Sequence, residues 1–398
     1  MNKKQERNRK PGRIFHTANA DEVLAGRITD IYFERTLRIL KAARVNPAVK
    51  AEFIAKSLPK GWPWAVFAGL GEALQVLKGL PVRVRAMREG EVFYPYEPVM
   101  EIEGRYQDFC VYETALLGLI CQASGVATQT ARFKSLVGDR LLISFGARRM
   151  HPVLAPMIER NAYIGGADGV SVQESGRIIG REAMGTMPHA LVLCMGSTLE
   201  ALRAFDRVIE PGVPRVALID TLLDEKFECI NVADAFGEKL FAVRFDTIAS
   251  RRGNFYRILE ECRWELDIRG HRQVKFFVSG GIKEEDVPAL NPLVAGYGIG
   301  TSISNAPVVD YAMDIMEMEG KPFAKVGKWG GSKRVLKCAA CGARQIAPNR
   351  PDAACSCGAR DFEDVLVPVL DEGKELLPPE DAEAIRQRTL RNTAGRPL

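Results

Sequence analysis

Residues 274–305 read VKFFVSGGIKEEDVPALNPLVAGYGIGTSISN. An apolar run of strand type, Lys275 to Ser279, ends on Gly280–Gly281, and the charged segment Lys283–Glu285 then opens a helix. About one β/α period later a second run ends on Gly296-Tyr-Gly-Ile-Gly300-Thr301. Glycine at both strand ends lets the backbone bend tightly, leaves amides facing outward and removes the Cβ atoms that would keep an anion away. The last two βα loops of a parallel α/β barrel carry a phosphate site of this composition. A single glycine loop would serve turn geometry alone. Two in tandem, with Ser279, Thr301 and Ser302 as further donors, point to a phosphorylated substrate.

Upstream the same texture repeats. The runs LLISF, DGVS, HALVLCM, RVALID and LFAVRFD read as short strands, separated by helical segments such as STLEALRAFDRVI and RGNFYRILEECRWEL. Such alternation, with apolar strands, predicts a parallel sheet covered on both faces. Roughly six or seven units fit, which favours an incomplete parallel α/β barrel over an open sheet. Polar residues collect at one end of these runs: Phe145-Gly-Ala-Arg148-Arg149, Asp220-Thr221 and Arg244-Phe-Asp246-Thr247. Strand C-termini are where a parallel α/β fold places its chemistry. Singly, an Asp after a strand often caps the next helix; several such ends beside the glycine loops predict a site.

The first hundred residues have a different pattern. Thr29 precedes Phe33, Leu37 and Leu40 at helical spacing. From Asn46 the chain alternates, with Val49, Ala51, Phe53 and Ala55 on one face and Lys50, Glu52 and Lys56 opposing them, which predicts a strand. VRVRAM and VFYPYEPVMEIEG predict antiparallel strands about a turn at Glu89–Gly90. An N-terminal α+β layer follows from these elements. Gln107 to Ala123 predicts an apolar buried helix, and VATQTARFKSLVG a second, amphipathic one.

Near the other end, Cys338-x2-Cys341 and Cys355-x-Cys357 bring four thiols into two close pairs. Gly342 and Gly358 follow the pairs and supply tight knuckles in which amides face sulfur. Four soft ligands suit tetrahedral Zn²⁺, and a full protein ligand set makes the site structural. An iron–sulfur cluster is the alternative. Lys333, Arg334, Lys337, Arg344 and Arg350 lie around this zinc-ribbon-like module, so a nucleic-acid-binding role is a competing reading; a small stapled module packed on a larger domain is the preferred one.

Composition narrows the classes. At 398 residues the chain has room for roughly two or three domains and a large core. A net charge of +5 against 55 basic and 50 acidic residues calls for no polyanion partner. Charge interrupts every long apolar run, and the basic start lacks a following apolar signal region, so a cytoplasmic protein without a membrane partner is expected. Five of the nine cysteines stand singly and read as reduced thiols.

The order of TDIYF, SFGARR, GTMPHA, ALIDT, VRFD, FFVSGG and GYGIGT resembles the type II phosphoribosyltransferases of NAD synthesis, and within them the nicotinate phosphoribosyltransferases of archaeal type with a cysteine-rich tail. The resemblance spans residues 15 to 360 and lies in the order of short motifs. It implies a homodimer or higher homo-oligomer with shared active sites, and transfer of the phosphoribosyl group from 5-phosphoribosyl-1-pyrophosphate to nicotinate, coupled to ATP. The division it implies is a basic tail (1–14), an N-terminal α+β domain (15–125), an α/β barrel phosphoribosyltransferase domain (126–315) and a C-terminal segment (316–398) with the four-cysteine module (338–357).

SFGARR is similar to the family motif whose aromatic stacks on the pyridine ring and whose arginine holds its substituent. That implies Phe145 as stacking face and Arg148 as carboxylate partner, with Arg149 as a second candidate; guanidinium matches carboxylate bidentately. TDIYF implies Tyr32, from a neighbouring subunit, as the cover of the other ring face. Asp220 and Asp246 match acidic positions near the ribose and Mg²⁺–pyrophosphate, with Arg244 offsetting leaving-group charge. Gly280, Gly281, Gly300 and Thr301 would take the 5′-phosphate. His189 in GTMPHA matches the histidine that ATP phosphorylates. Asp168 offers a carboxamide acceptor and so a nicotinamide alternative, and Arg132 and Arg149 offer cations for the second carboxylate of quinolinate.

Overall fold

The computed structural model describes residues 14–348 and 354–398; the basic tail up to Arg13 and Arg350 lie outside them. Alternation from Val49 produces the strand Ala48–Ala55, whose Val49, Ala51, Phe53 and Ala55 are all buried. The opposite face is closed too, because Glu52 is ion-paired to Lys333 at 2.7 Å. This strand lies inside a seven-stranded sheet ordered Lys321–Pro322, Tyr311–Met318, Ala48–Ala55, Pro98–Arg105, Val82–Ala86, Val367–Asp371, Lys374–Glu375. Its pairings are antiparallel throughout. The helix before it, Ile31–Ala43, starts beyond Thr29, with Asp30 at its N-cap.

The turn at Glu89–Gly90 does not join two neighbouring strands. Val82–Ala86 pairs with Pro98–Arg105, while Val92–Phe93 crosses to Ala65–Val66. Glu89 is buried and accepts from Gly69 N at 2.6 Å and Arg160 Nη2 at 2.9 Å. An anchored carboxylate at that point pulls the chain inward, where a hairpin tip would face water.

The expected pair of helices is one helix, Glu113–Val137. Residues that read as a break are buried contacts. Ser124 and Thr128 hydroxyls accept from Ala68 N and Val66 N, and a Cβ on Gly125 would meet the Pro307 carbonyl at 2.2 Å. The helix belongs to both halves of the molecule. It is the one described helix long and apolar enough to cross a membrane, but half of its apolar window is buried inside the protein, as in a core helix.

The second sheet has six parallel strands, ordered Gly169–Val170, Leu141–Ser144, Gly296–Ile299, Lys275–Val278, Ala242–Phe245, Val216–Leu218. Its first and last strands in sequence pair with each other. HALVLCM supplies no strand: it is the helix His189–Met195, opened by Pro188 and closed by Gly196 in a left-handed conformation. Leu193 and Met195 on it are 60% and 39% exposed, which a strand buried on both faces would not allow.

The chain then returns to the first sheet. Tyr311–Met318 crosses the 315/316 division and pairs with Ala48–Ala55, and Val367–Asp371 pairs with Val82–Ala86. The cysteines sit beside a small antiparallel sheet of Arg344–Pro348, Lys333–Cys338 and Phe362–Asp364. The closing helix, Ala382–Thr393, spans the two layers, with Arg386 on Asp168 and Arg388 on the Glu89 carbonyl.

Candidate active site

Alternation along Ala242–Phe245 sends Val243 and Phe245 into the core and leaves Arg244 on the opposite face. One residue later, Asp246 collects three neighbours. Ser279 Oγ donates to its Oδ1 at 2.7 Å, Arg244 Nη2 donates to Oδ2 at 3.4 Å, and His189 Nε2 lies 3.3 Å from the same oxygen. His189 Nδ1 is 2.9 Å from Thr221 Oγ1. The candidates His189, Arg244 and Asp246 thus form one network at the C-terminal ends of the parallel strands. Burial pulls the Arg244 guanidinium below its usual pKa, with Asp246 and Asp220 opposing the shift.

Asp220 stands beside this network. Burial pushes its carboxyl up, His189 counters the shift and Asp246 adds to it. Its Oδ1 is buried without a hydrogen-bond partner among the described residues, as is Arg244 Nε. Buried polar atoms are normally satisfied, so a polar ligand beside Asp246 could pair with both.

Phe145 follows the Leu141–Ser144 strand, and its amide donates to Ile299 O at 2.8 Å. A Cβ on Gly298 would come within 2.3 Å of the Phe145 ring, so glycine there makes room for it. The Arg244 guanidinium carbon lies 5.8 Å from the ring centroid. Arg148 and Arg149 follow in the turn Ala147–Arg149; both are exposed, and neither has an ion pair among the described residues. Tyr32 is 55% exposed and packs on Phe33, with centroids 4.3 Å apart, rather than on Phe145 of its own chain.

The two glycine loops meet. Gly280 and Gly281 have φ of +79° and +78°, a region open to glycine at little cost. Ser302 Oγ donates to Ile282 O at 3.0 Å and ties the first loop to the short helix Thr301–Ser304 after Gly300. The amides of Gly280, Gly281 and Gly300 donate to no group among the described residues.

Two candidates have structural partners instead. Asp168 accepts from Lys134 Nζ and Leu142 N at 2.9 Å each, and from Arg386, so its charge is already matched by two cations of the fold. Arg132 is ion-paired to Glu284 at 2.8 Å and lies over Trp62. Sequence reasoning missed Thr186, which accepts from Arg244 Nη1, and Arg252, which lies behind the Gly280 turn. Their only sequence signals were a hydroxyl in GTMPHA and a basic pair shortly after VRFD.

The four cysteine sulfurs lie within 4.8 Å of one another, with Cys338–Cys357 at 3.6 Å and Cys341–Cys355 at 3.5 Å. A zinc tetrathiolate with bonds of about 2.3 Å has edges of about 3.8 Å, so the set fits that ion. Of the nearby cations, Lys333 is paired to Glu52, Arg334 to Asp364 and Arg344 to Glu97. Those charges are satisfied internally, which removes most of the basic surface a nucleic acid would need.

The chain matches the quinolinate phosphoribosyl transferase N-terminal domain over residues 30–124 and the C-terminal domain over residues 126–314. The two matches meet inside the Glu113–Val137 helix. A nicotinate phosphoribosyltransferase of Mycobacterium tuberculosis is 30% identical over 355 residues, covering 79% of this chain and 78% of the relative. The nicotinate phosphoribosyltransferase of Bacillus subtilis is 29% identical over 247 residues, 59% of this chain and 49% of its own. Among solved structures, the nicotinate-nucleotide pyrophosphorylase from Pyrococcus furiosus superposes with a TM-score of 0.93 at 47% identity, over 96% of this chain and 98% of the other. Human nicotinic acid phosphoribosyltransferase shares the fold, with a TM-score of 0.71 at 19% identity over 92% and 93%.

Proposed function

The chain belongs to the type II phosphoribosyltransferase family, and from that premise we propose that it transfers the 5-phosphoribosyl group of phosphoribosyl pyrophosphate to nicotinate. The products are nicotinate mononucleotide and pyrophosphate, within NAD synthesis. One observation carries this reading: through Ser279, Asp246 and Arg244, hydrogen bonds and a cation–ring contact run unbroken from the glycine cradle to Phe145. A phosphate, a sugar and a flat ring fit that sequence of contacts. The cradle takes the 5′-phosphate on the amides at Gly280, Gly281, Gly300 and Thr301, and Phe145 stacks on the pyridine ring. Arg148, exposed and unpaired, binds the carboxylate, with Arg149 as the second candidate.

The ring nitrogen attacks C1′ as the C1′–O bond to pyrophosphate breaks. The nucleophile carries no proton, so positioning and charge supply the catalysis. Asp220 and Asp246 face the positive charge that grows at C1′, while Arg244 offsets that of the departing pyrophosphate. Asp220 Oδ1, buried with no hydrogen-bond partner among the described residues, would hold Mg²⁺ alongside substrate phosphates. When bound, Mg²⁺ neutralises pyrophosphate charge.

The γ-phosphoryl group of ATP passes to a ring nitrogen of His189, which gives up its contact with Thr221 or Asp246 as ADP leaves. Water then hydrolyses the phosphohistidine, coupling that hydrolysis to product formation. Thr221 and Asp246, on its two ring nitrogens, hold the imidazole in place. The six parallel strands form a barrel open between Gly169–Val170 and Val216–Leu218, and the cysteine module is a structural zinc ribbon. The enzyme is a cytoplasmic homodimer or higher oligomer in which a partner's tyrosine, equivalent to Tyr32, covers the free face of the ring. Quinolinate keeps only Arg149 of its two candidate cations, because Arg132 is already paired to Glu284, and nicotinamide would have to share Asp168 with Lys134 and Arg386.

The test incubates protein with phosphoribosyl pyrophosphate, Mg²⁺ and each of nicotinate, nicotinamide and quinolinate, with and without ATP, and identifies the nucleotide. Nicotinate mononucleotide from nicotinate, stimulated by ATP, is expected. No product from any of the three sinks the reading.

A further inference from the structure

We infer that Arg252 is a positioning residue that turns the backbone of the glycine cradle toward its anion, an inference that rests on reading the Gly280–Gly281 turn as a phosphate site. Arg252 ends the short helix Ala249–Arg252 that follows the strand bearing Arg244. Its Nε donates to Thr247 O at 3.0 Å, and its Nη2 donates to Ser279 O at 3.2 Å and to Gly280 O. One side chain therefore gathers three carbonyls from two successive βα loops.

A planar trans peptide carries its C=O and the following N–H in opposite directions. Holding the Ser279 and Gly280 carbonyls on the Arg252 side sends the amides of Gly280 and Gly281 to the other side. Both amides lack a partner among the described residues, and the space beside Gly281 is open within 4 Å of where a Cβ would stand. The guanidinium is wedged against Phe255, 4.5 Å from the ring centroid. No carboxylate forms an ion pair with it among the described residues, so its charge remains available to an anion across the turn. A lysine would keep the charge but lacks the planar fork that spans carbonyls of two loops.

The full chain, Arg252→Gln and Arg252→Lys are titrated calorimetrically with ribose 5-phosphate. KM is measured for phosphoribosyl pyrophosphate and for nicotinate, and Tm is recorded. Losing charged hydrogen bonds should weaken ribose 5-phosphate binding roughly 30-fold in Arg252→Gln and about threefold to tenfold in Arg252→Lys. KM for phosphoribosyl pyrophosphate should follow, with KM for nicotinate unchanged. If the glutamine variant does not fold, the lysine variant decides. Wild-type affinity in the folded variants overturns the inference alone, as does an equal rise in both KM values. Absence of ribose 5-phosphate binding to the wild type overturns the phosphate reading, and the inference with it.

Discussion

The two ends of the site are built differently. At the proposed phosphate end the groups around the unpartnered amides are already held: Ser279 by Asp246, the Gly280 carbonyl by Arg252, and Ile282 by Ser302. At the proposed ring end Phe145 is seated over Gly298, but Arg148 and Arg149 are exposed and form no ion pair among the described residues. The first end is preorganised within one chain, so binding there costs little further ordering. On the proposed reading the second is completed by substrate and by a covering element, so base selectivity should be easier to perturb than phosphate binding.

Changes at the hub should test this most severely. Asp246→Ala removes the partner of Ser279, Arg244 and His189 together, and kcat/KM should fall by about a thousandfold or more; a loss under tenfold would refute its central place. Gly298→Ala places a methyl group against the Phe145 ring, where only 2.3 Å is available. KM for nicotinate should rise by roughly one to two orders of magnitude, with that for phosphoribosyl pyrophosphate little changed. Equal damage to both would erase the distinction between the ends.

His189→Ala should abolish stimulation by ATP while leaving measurable phosphoribosyl transfer, and persistent stimulation would reject the coupling role. Asp220 supplies a smaller effect, read in stability. Its folded-state pKa is raised by burial, so the folded form binds this proton more tightly than the unfolded one. Stability is therefore lost as pH rises from the unfolded value through the folded one. Asp220→Asn should raise Tm at neutral pH, an advantage that disappears below the unfolded pKa of about 4, while activity falls. If the four cysteines hold zinc as proposed, its chelation should lower Tm with the least effect on kcat, since the cysteines are remote in sequence from the strand ends; parallel loss of kcat would link the module to catalysis.

Legibility in the sequence followed the range of the interactions. The cysteine pairs and both glycine loops were visible because their chemistry is local: a knuckle or a left-handed turn is specified by neighbours. HALVLCM misled because a short apolar run does not separate strand from helix; Pro188 and Gly196, which bound it as a helix, were the signals to weigh. Asp168 misled for another reason. Its partner Arg386 is 218 residues away, and no local pattern announces such a pair.

The sequence alone determined the β/α texture, the two glycine turns, the thiol set and the order of motifs that resembles the family, because each is written in short local stretches. Tertiary structure decided which polar residues are free. Asp168, Arg132, Lys333, Arg334 and Arg344 were all credible ligand or nucleic-acid groups, and each is ion-paired within the fold. Asp220 Oδ1 and Arg244 Nε are buried with no hydrogen-bond partner among the described residues. Burial makes an unpaired polar group costly, and burial is a property of the folded chain.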